Sequence, residues 1–328
     1  MKRIFFALLA LCLLLPTLGS CAGEVAVIDG SLGLGVYSAL DTVDAETNDG
    51  GEGDIIHTAA SVILDGAGKI LSVRFDQTHA TVSFGADGKA EGAGEIKTAR
   101  ELKDSYPEMA DWYMQADVLE QKIEGKTLDE AKALVNEDGK GAEELQSAGC
   151  TMELTELMLA LEKACNNAKV KVMGVVGGSV GMYSEVTESE DASEKDGVIT
   201  VKTTFAATAA MPGGVINGAV TDEIEVSISF DKSGKSTTDL TKTLTTKRNL
   251  GDAYGMSKSG FDYDGDGRVL EWYAQADAFD AALIGRRPSG VGKMPGADGV
   301  GSESVIKAGC TIKITGMVKA VQRALENA

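Results

Sequence analysis

Two copies of one four-residue stretch are the first candidates for chemistry in this sequence. Ala-Gly-Cys-Thr occurs at 148–151 and again at 308–311, and an amphipathic helical pattern follows each copy. Glycine turns without steric cost, and a threonine hydroxyl at the start of a helix accepts hydrogen bonds from free backbone amides. Those amides and the helix dipole also favour a phosphate group. Thr151 and Thr311 are therefore predicted either to cap their helices or to carry a phosphate ester.

A second candidate is an acidic stretch in the C-terminal half, Asp-Tyr-Asp-Gly-Asp-Gly. Its carboxylates at Asp262, Asp264 and Asp266 alternate around a turn, as in the first half of an EF-hand loop, and such carboxylates converge on one hard cation. Position twelve is Tyr273, where an EF-hand loop has glutamate, and Glu271 is the possible substitute. The stretch predicts either a weak Ca²⁺ site or a solvated acidic turn.

Histidine and cysteine chemistry is limited by how few of these residues the chain contains. His57 and His79 are the two histidines, neither has a counterpart in the other half of the chain, and both fall in strand-like runs. No spacing of cysteine and histidine suits zinc, and no glycine-rich phosphate loop precedes a helix. After position 21 the cysteines are Cys150, Cys165 and Cys310, which are too few for a disulfide framework. We expect small buried thiols, with one disulfide as the alternative.

Two tryptophans and two arginines occupy matching places in the two halves of the chain. Trp112 and Trp272 each start an apolar stripe with helical spacing, which favours a place in the core over stacking on a flat ligand. Arg100 and Arg248 each begin a helix-like segment and fit either a phosphate-binding or an ion-pairing role.

The N-terminus has the organisation of a bacterial lipoprotein signal. Lys2 and Arg3 precede an apolar run, 4–15, that is too short to span a bilayer. Leu18-Gly-Ser-Cys21 follows and resembles the lipobox, in which the cysteine thiol receives diacylglycerol. We therefore expect residues 1–20 to be a signal peptide and Cys21 to be the lipid anchor on the extracytoplasmic face of a bacterial cell membrane. The alternative is plain secretion with a free thiol.

The net charge of the chain is −19, which disfavours nucleic acid as a partner. An acidic surface also repels anionic lipid and attracts cations. A charge that keeps an exported protein soluble is the simpler interpretation, and a specific role of the acidic surface is the alternative.

The chain matches itself at three places in the same order. The matched stretches are 98–106 with 246–254, 111–126 with 271–286, and the two Ala-Gly-Cys-Thr copies. A period of domain size predicts two tandem domains, 21–168 and 169–328. Each opens with strand-like alternation and closes with helical patterns, which predicts an α+β fold with an antiparallel sheet packed by two helices in each copy.

Ala-Gly-Cys-Thr before an apolar-periodic helix resembles the Ser-Gly-Ala-Thr signature of the FMN-binding domain family. That family includes flavin subunits of the Rnf and Na⁺-pumping quinone reductase complexes and two-domain flavinylated lipoproteins. The resemblance implies FMN on Thr151 and Thr311 through a phosphodiester, a flavin transferase that attaches it, and a redox partner. The resemblance places Gly149, Thr151, Gly309 and Thr311 at the flavin. Cys150 and Cys310 stand where the family has alanine, and as neighbours of the site they are either redox partners of the flavin or small buried thiols.

The sequence therefore predicts a membrane-anchored extracytoplasmic lipoprotein with two FMN-binding-like domains that carries electrons. An electron-transfer or binding protein is favoured over an enzyme with turnover. The alternative is a non-catalytic ligand-binding or structural lipoprotein of the cell envelope, built by domain duplication.

Overall fold

The computed structural model describes residues 26–46, 49–260, 262, 265 and 267–328. The strands are β1 (Ile28–Val43), β2 (Gly51–Leu64), β3 (Ile70–Phe84), β4 (Ala90–Glu91), β5 (Glu95–Ile96), β6 (Val170–Val175), β7 (Gly177–Glu190), β8 (Gly197–Met211) and β9 (Val215–Phe230). The helices are α1 (Ala99–Leu102), α2 (Trp112–Ile123), α3 (Leu128–Lys132), α4 (Glu143–Ser147), α5 (Thr155–Asn166), α6 (Lys247–Leu250), α7 (Met256–Ser259), α8 (Trp272–Leu283), α9 (Pro288–Val291), α10 (Glu303–Lys307) and α11 (Thr315–Glu326). The signal peptide and Cys21 lie outside the described residues.

The strands form two antiparallel sheets, which confirms the predicted α+β class. One sheet has the order β4-β3-β2-β1-β6, and the other has the order β5-β7-β8-β9. Short strands are exchanged between the halves, because β6 follows the first set of helices but pairs with β1, and β5 pairs with β7. The exchange joins the two halves of the chain by backbone hydrogen bonds.

The two sheets pack face to face around one apolar core. Ile55, Ala59 and Ile63 of β2 are fully buried and belong to the same cluster as Val180 and Phe205 of the opposite sheet. At one end of this core, Phe84 and Phe230 stack with ring centroids 4.6 Å apart. The alternation of strand residues therefore places one set of side chains between the sheets.

Helices cover the outer face of each sheet, so the fold has four layers. Helices α2 and α5 share a core cluster with β2 and β3, and α8 and α11 share another with β8 and β9. The outer face of β9 is exposed to solvent in its second part, where Glu225 and Ser227 are exposed. In its first part, α8 covers that face. Within the described residues, no helix is long and apolar enough to span a bilayer.

The last helix of each half, α5 in the first and α11 in the second, is attached to its sheet by a matching pair of hydrogen bonds. In the first half, Lys163 Nζ donates to Val36 O at 2.8 Å and Asn167 donates to Leu34 O at 3.1 Å. In the second half, Arg323 donates to Met182 O at 2.6 Å and Asn327 donates to Val180 O at 3.0 Å. The order of elements and the contacts of these helices therefore recur in both halves.

His57 lies in β2 and His79 in β3, as predicted, and His57 is fully buried between the sheets. Its Nδ1 lies 2.7 Å from Ser38 Oγ, and its ring meets that of Phe205 edge to face. Burial lowers the pKa of His57 to about 3. The imidazole is therefore neutral in the folded protein at neutral and mildly acidic pH.

We expect His57 to make the fold sensitive to acid. The unfolded chain protonates this residue below its ordinary pKa of 6.5, whereas the folded chain does so only near pH 3, so stability falls as the pH falls through this window. Relative to His57→Gln, the wild type should lose about 1.4 kcal/mol per pH unit between roughly pH 6 and pH 4. Denaturant unfolding of both proteins across that range measures the difference. Parallel pH profiles would contradict a neutral buried imidazole.

Candidate functional site

The first Ala-Gly-Cys-Thr stretch ends the short helix α4 and does not begin α5. Gly149 has φ of +102°, its amide donates to Gln146 O at 3.0 Å, and the Cys150 amide donates to Leu145 O at 3.0 Å. This pair of hydrogen bonds is the Schellman motif, which closes a helix with a left-handed glycine. The predicted capping role of Thr151 is wrong, because α5 begins at Thr155 and its N-cap residue is Leu154.

The second stretch has the same geometry at the end of α10. Gly309 has φ of +104°, its amide donates to Ile306 O at 2.8 Å, and the Cys310 amide donates to Val305 O at 3.2 Å. Helix α11 begins four residues after Thr311, with Ile314 at the N-cap. The capping prediction is wrong here too, and so is the expectation that free helix amides surround the hydroxyl.

A buried glutamine in each half fixes the threonine of this stretch. The Gln115 side-chain oxygen accepts hydrogen bonds from the Thr151 amide at 2.7 Å and from the Met152 amide at 2.9 Å. The Gln275 oxygen accepts from the Thr311 amide at 2.8 Å and from Thr311 Oγ1 at 3.0 Å. The glutamines lie on α2 and α8, so the second and third repeated stretches of the sequence meet at this point.

The cysteines of the two stretches are unreactive thiols. Cys150 and Cys310 are fully buried, and burial raises the pKa of Cys150 to about 11 and that of Cys310 to about 12. Both thiols and that of Cys165 are free. The predicted burial is confirmed for Cys150 and Cys310, whereas Cys165 is half-buried. A thiol that stays protonated is a poor nucleophile.

The two arginines form ion pairs, which is the second of their predicted roles. Arg100 donates to the Phe75 carbonyl at 2.6 Å, to Asp117 at 2.9 Å and to Glu120 at 2.7 Å. Its own amide donates to Asp76 at 3.3 Å. Since each nitrogen of the guanidinium has a partner inside the protein, Arg100 serves to attach α2 to β3.

Arg248 repeats this arrangement between α8 and β9. It donates to Thr221 O at 2.9 Å, to Asp277 at 2.5 Å and to Asp280 at 3.0 Å. Trp112 and Trp272, at the start of the same helices, are 4 % and 3 % exposed, which confirms their predicted place in the core. The arginines and tryptophans are therefore structural.

A cavity of about 290 Å³ lies beside Thr311. The residues that line it are Lys202, Glu223, Lys247, Tyr254, Met256, Trp272, Gln275, Thr311, Ile312 and Lys313. Three lysines and one carboxylate line the cavity, but two of the lysines also pair with carboxylates outside the lining, Lys247 with Glu225 at 2.8 Å and Lys202 with Glu185 at 3.6 Å. An anionic group next to the Thr311 hydroxyl would therefore lie close to lysine side chains that already have acidic partners.

Lys247 is the most enclosed of the three lysines. Its Nζ donates to Glu223 at 2.6 Å and to Glu225 at 2.8 Å, and it lies 5.2 Å from the centre of the Tyr254 ring. Burial opposes the charged amine, but the two carboxylates hold the pKa of Lys247 above its ordinary value. Lys247 is therefore a permanent cation of the cavity wall.

The matching region of the first half has different side chains. The places of Lys202, Lys247 and Lys313 are taken there by Ile56, Ala99 and Glu153. Tyr106, in the place of Tyr254, is 3 % exposed; its hydroxyl donates to Gln77 at 2.8 Å, and its ring lies edge to face against Trp112. Thr151 is exposed, and Glu153 follows it two residues later in the chain.

The acidic stretch predicted to bind Ca²⁺ is described only in part. Asp264 and Asp266 lie outside the described residues. Asp262 accepts hydrogen bonds from the Gly265 amide at 2.8 Å and from the Gly267 amide at 3.0 Å. Within the described part of the chain there is no cluster of three metal-ligating side chains. Calcium binding stays a prediction.

Glu271 has a structural role at the start of α8. Its carboxylate accepts hydrogen bonds from the Met256 amide at 2.9 Å and from both the amide and the hydroxyl of Ser257. These hydrogen bonds, led by that of the Ser257 hydroxyl, hold the pKa of Glu271 below its ordinary value. Coordination of Ca²⁺ by Glu271 requires the protein to give up these contacts.

Sequence reasoning missed the three lysines beside Thr311. They come from β8, α6 and the segment before α11, and a chain pattern does not place such distant segments together. One signal was available, because the self-alignment puts Lys247 against Ala99 and Lys313 against Glu153. In comparisons with known proteins, the chain matched no family model, no curated protein and no solved structure.

Proposed function

We propose that this protein is a membrane-tethered extracytoplasmic electron carrier with FMN joined to Thr311 through a phosphodiester. The observation that carries the proposal is the position of the Thr311 hydroxyl on a cavity with three lysines. A phosphodiester brings one negative charge to this hydroxyl, and nearby ammonium groups stabilise that charge. The tether, on Cys21, rests on the sequence of residues 1–21.

The chain's own residues have separable roles in this proposal. Gln275 holds the Thr311 amide and hydroxyl in place, so the oxygen that forms the ester has a fixed position. Lys313 is exposed, Lys202 is half-buried, and Lys247 has the fixed position given by its two carboxylates. Bound FMN supplies a redox-active ring, which neither the buried thiols nor the histidines supply.

The attachment reaction needs a flavin dinucleotide as donor and a flavin transferase as catalyst. The Thr311 oxygen forms a bond to the phosphorus next to the ribityl chain, and the bond from that phosphorus to the bridging oxygen breaks. AMP leaves with the electron pair, and the hydroxyl proton passes to solvent. No oxidant or reductant is consumed, so atoms and charge balance.

The two threonines are not equivalent in this proposal. The resemblance to FMN-binding domains assigns a flavin to Thr151 as well as to Thr311. Thr151 has the same backbone geometry and the same glutamine, but the places of the three lysines hold an isoleucine, an alanine and a glutamate. We therefore propose Thr311 as the preferred attachment point.

We expect covalent flavin to depend on Thr311 when the chain is co-expressed with a flavin transferase. The wild type should gain the mass of one FMN and fluoresce in a denaturing gel, because a phosphodiester survives denaturation. Thr311→Ala should lose most of this signal, and Thr151→Ala, the matched control, should keep most of it. Equal loss in both variants would reject the preference for Thr311.

The alternative function applies if the wild type carries no flavin after expression in a host that flavinylates a control protein. The repeated glutamine and arginine contacts lie inside the protein in both halves, and this favours a structural or ligand-binding lipoprotein built by duplication. In that case the cavity beside Thr311 would take a free anion, and Thr311→Ala would leave the mass and the spectrum unchanged.

A further inference from the structure

Four exposed apolar side chains lie together at one end of the molecule. They are Val27, Met173, Val176 and Met211, with 51, 67, 45 and 39 % of their surface exposed, and they are called the methionine patch below. Asn217 connects the two methionines, since it accepts from the Met173 amide at 2.8 Å and its Nδ2 lies 3.9 Å from Met211 Sδ. Val176 is hydrogen-bonded to Ala210.

The patch is formed by the ends of strands. Val27 precedes β1, Met173 is in β6, Val176 joins β6 to β7, and Met211 ends β8. Register places these ends side by side, since Ile28 pairs with Val175 and Gly177 pairs with Ala210. Two flexible methionines and two valines on a surface of this kind are suited to an apolar partner.

Basic residues surround the methionine patch. The segments at this end contain five bases and three acids, and they are 27–29, 65–69, 124–127, 171–176, 211–214 and 284–287. Lys171 is exposed in β6, and Arg287 donates to Gly213 O at 2.7 Å in the turn that follows Met211. This end is therefore basic, although the chain as a whole is acidic.

The opposite end of the molecule has the reverse charge. Its turns and strand ends, which are 41–54, 85–91, 188–196 and 231–239, contain fifteen acidic residues and four lysines. They lie together, because Ala45 is hydrogen-bonded to Gly234 and Ala192 to Gly88. Strand β1 has sixteen residues and separates the two ends by roughly 50 Å. The molecule is therefore polarised along its strands.

The predicted anchor is close to the basic, apolar end. Four residues separate Cys21 from Ala26, the first described residue, and the five steps along the chain span at most about 18 Å. An acyl chain on Cys21 must therefore hold Val27 close to the bilayer surface. The acidic end, at the other end of β1, would lie away from anionic headgroups.

We propose that the methionine patch is a lipid-contacting surface, through which this end of the two packed sheets binds an anionic bilayer. The patch inserts at the level of the headgroups, and Lys69, Lys171, Arg286 and Arg287 contact the lipid phosphates. The proposal rests on the anchoring part of the proposed function and not on the flavin. It fixes the orientation of the protein, with the acidic end presented outward.

Tryptophan quenching by bromine-labelled lipid tests this contact, because both native tryptophans are buried. The chain that begins at Cys21, with Cys165→Ser, is coupled through Cys21 to a maleimide-bearing lipid in vesicles of phosphatidylglycerol and phosphatidylcholine with brominated acyl chains. In Met173→Trp and in Met211→Trp, the brominated lipid should quench most of the fluorescence that the introduced tryptophan contributes. Val43→Trp, which is 60 % exposed at the far end, should keep it.

The outcome distinguishes contact of the methionine patch with lipid from tethering through Cys21. Equal quenching of the tryptophans at positions 173, 211 and 43 would overturn the lipid contact. The test does not depend on acylation in the cell, because the thiol link on Cys21 supplies the tether. Arg286→Gln with Arg287→Gln should reduce the quenching of the tryptophan at 173, and unchanged quenching would remove the electrostatic part of the proposal. Mass analysis of the protein extracted from cells tests acylation separately.

Discussion

At pH 8, Arg100→Met is expected to lower the free energy of unfolding by about 3–5 kcal/mol, because it leaves buried carboxylate charge without its main partner. Arg100 joins α2 to β3 through the Phe75 carbonyl, Asp117 and Glu120. The Glu120 side chain is 1 % exposed. Its other cationic partner, Arg74, is 37 % exposed and offers a weaker interaction. Denaturant unfolding followed by circular dichroism measures the loss.

Two companion variants make this prediction specific. Lys132→Met removes an ion pair to Glu162 whose side chains are 40 % and 41 % exposed, and should cost less than about 1 kcal/mol. Arg100→Met combined with Glu120→Gln should recover part of the loss, because the amide still accepts from the Phe75 amide but carries no charge. If the double variant is as unstable as Arg100→Met alone, the loss comes from packing and not from an unpaired charge.

The pH dependence of the same variant gives a second readout. Burial raises the pKa of Glu120 to about 7, even with Arg100 and Arg74 beside it. The removal of Arg100 raises the pKa of Glu120 further, because the carboxylate loses a cation that stabilises its charge, whereas the neutral acid does not depend on that cation. The deficit of Arg100→Met relative to the wild type should therefore be larger at pH 8 than at pH 5. A constant deficit would mean that Glu120 has the same charge at both pH values.

Sequence patterns predicted the class of the fold and the role of the large apolar residues. Alternation located β9, and helical spacing placed Trp112 and Trp272 in the core, because both patterns follow from the geometry of a single element. The exchange of β5 and β6 between the sheets was not predictable. It depends on which strand edges lie open after the long strands pair, and that is a property of the whole fold.

The Ala-Gly-Cys-Thr stretch was assigned to the wrong helix. Helices α4 and α10 have five residues each, so they give no apolar stripe of their own, whereas the long helices that follow do. A glycine after a polar helical run was the available signal for a C-terminal cap. The buried thiols follow from this geometry, since the residue after the glycine packs back on the helix that it ends.

The corrected geometry changes what the repeated stretch can do. A threonine beyond a closed helix end is not surrounded by free amides, so the anion site predicted from the helix dipole is absent at both copies. Charge must then come from side chains, and Lys202, Lys247 and Lys313 supply it only around Thr311. Two halves with one framework therefore differ in the chemistry available to them.

Gly35→Val is the second substitution with a large expected effect, because Gly35 lies where the backbone of α5 approaches β1 closely. A β-carbon at Gly35 would lie 2.0 Å from Ala160 O and 2.2 Å from Ala164 N, both in the backbone of α5. Backbone atoms of a packed helix cannot turn away as a flexible side chain does, so α5 must shift off β1. The expected loss is about 3 kcal/mol, at the upper end of the usual cost of overpacking.

Gly66→Ala is the matched control for this prediction, since a β-carbon at Gly66 meets no atom within 4 Å. It should leave stability unchanged or raise it by about 0.4–1 kcal/mol through the entropy of the unfolded chain. Gly181 makes the same approach to α11, where a β-carbon would lie 2.2 Å from Ala324 N and 2.3 Å from Ala320 O. Gly181→Val should therefore destabilise the second half as Gly35→Val destabilises the first. Thermal unfolding measures both losses. A valine variant as stable as the wild type would mean that α5 or α11, respectively, does not approach its sheet as closely as described.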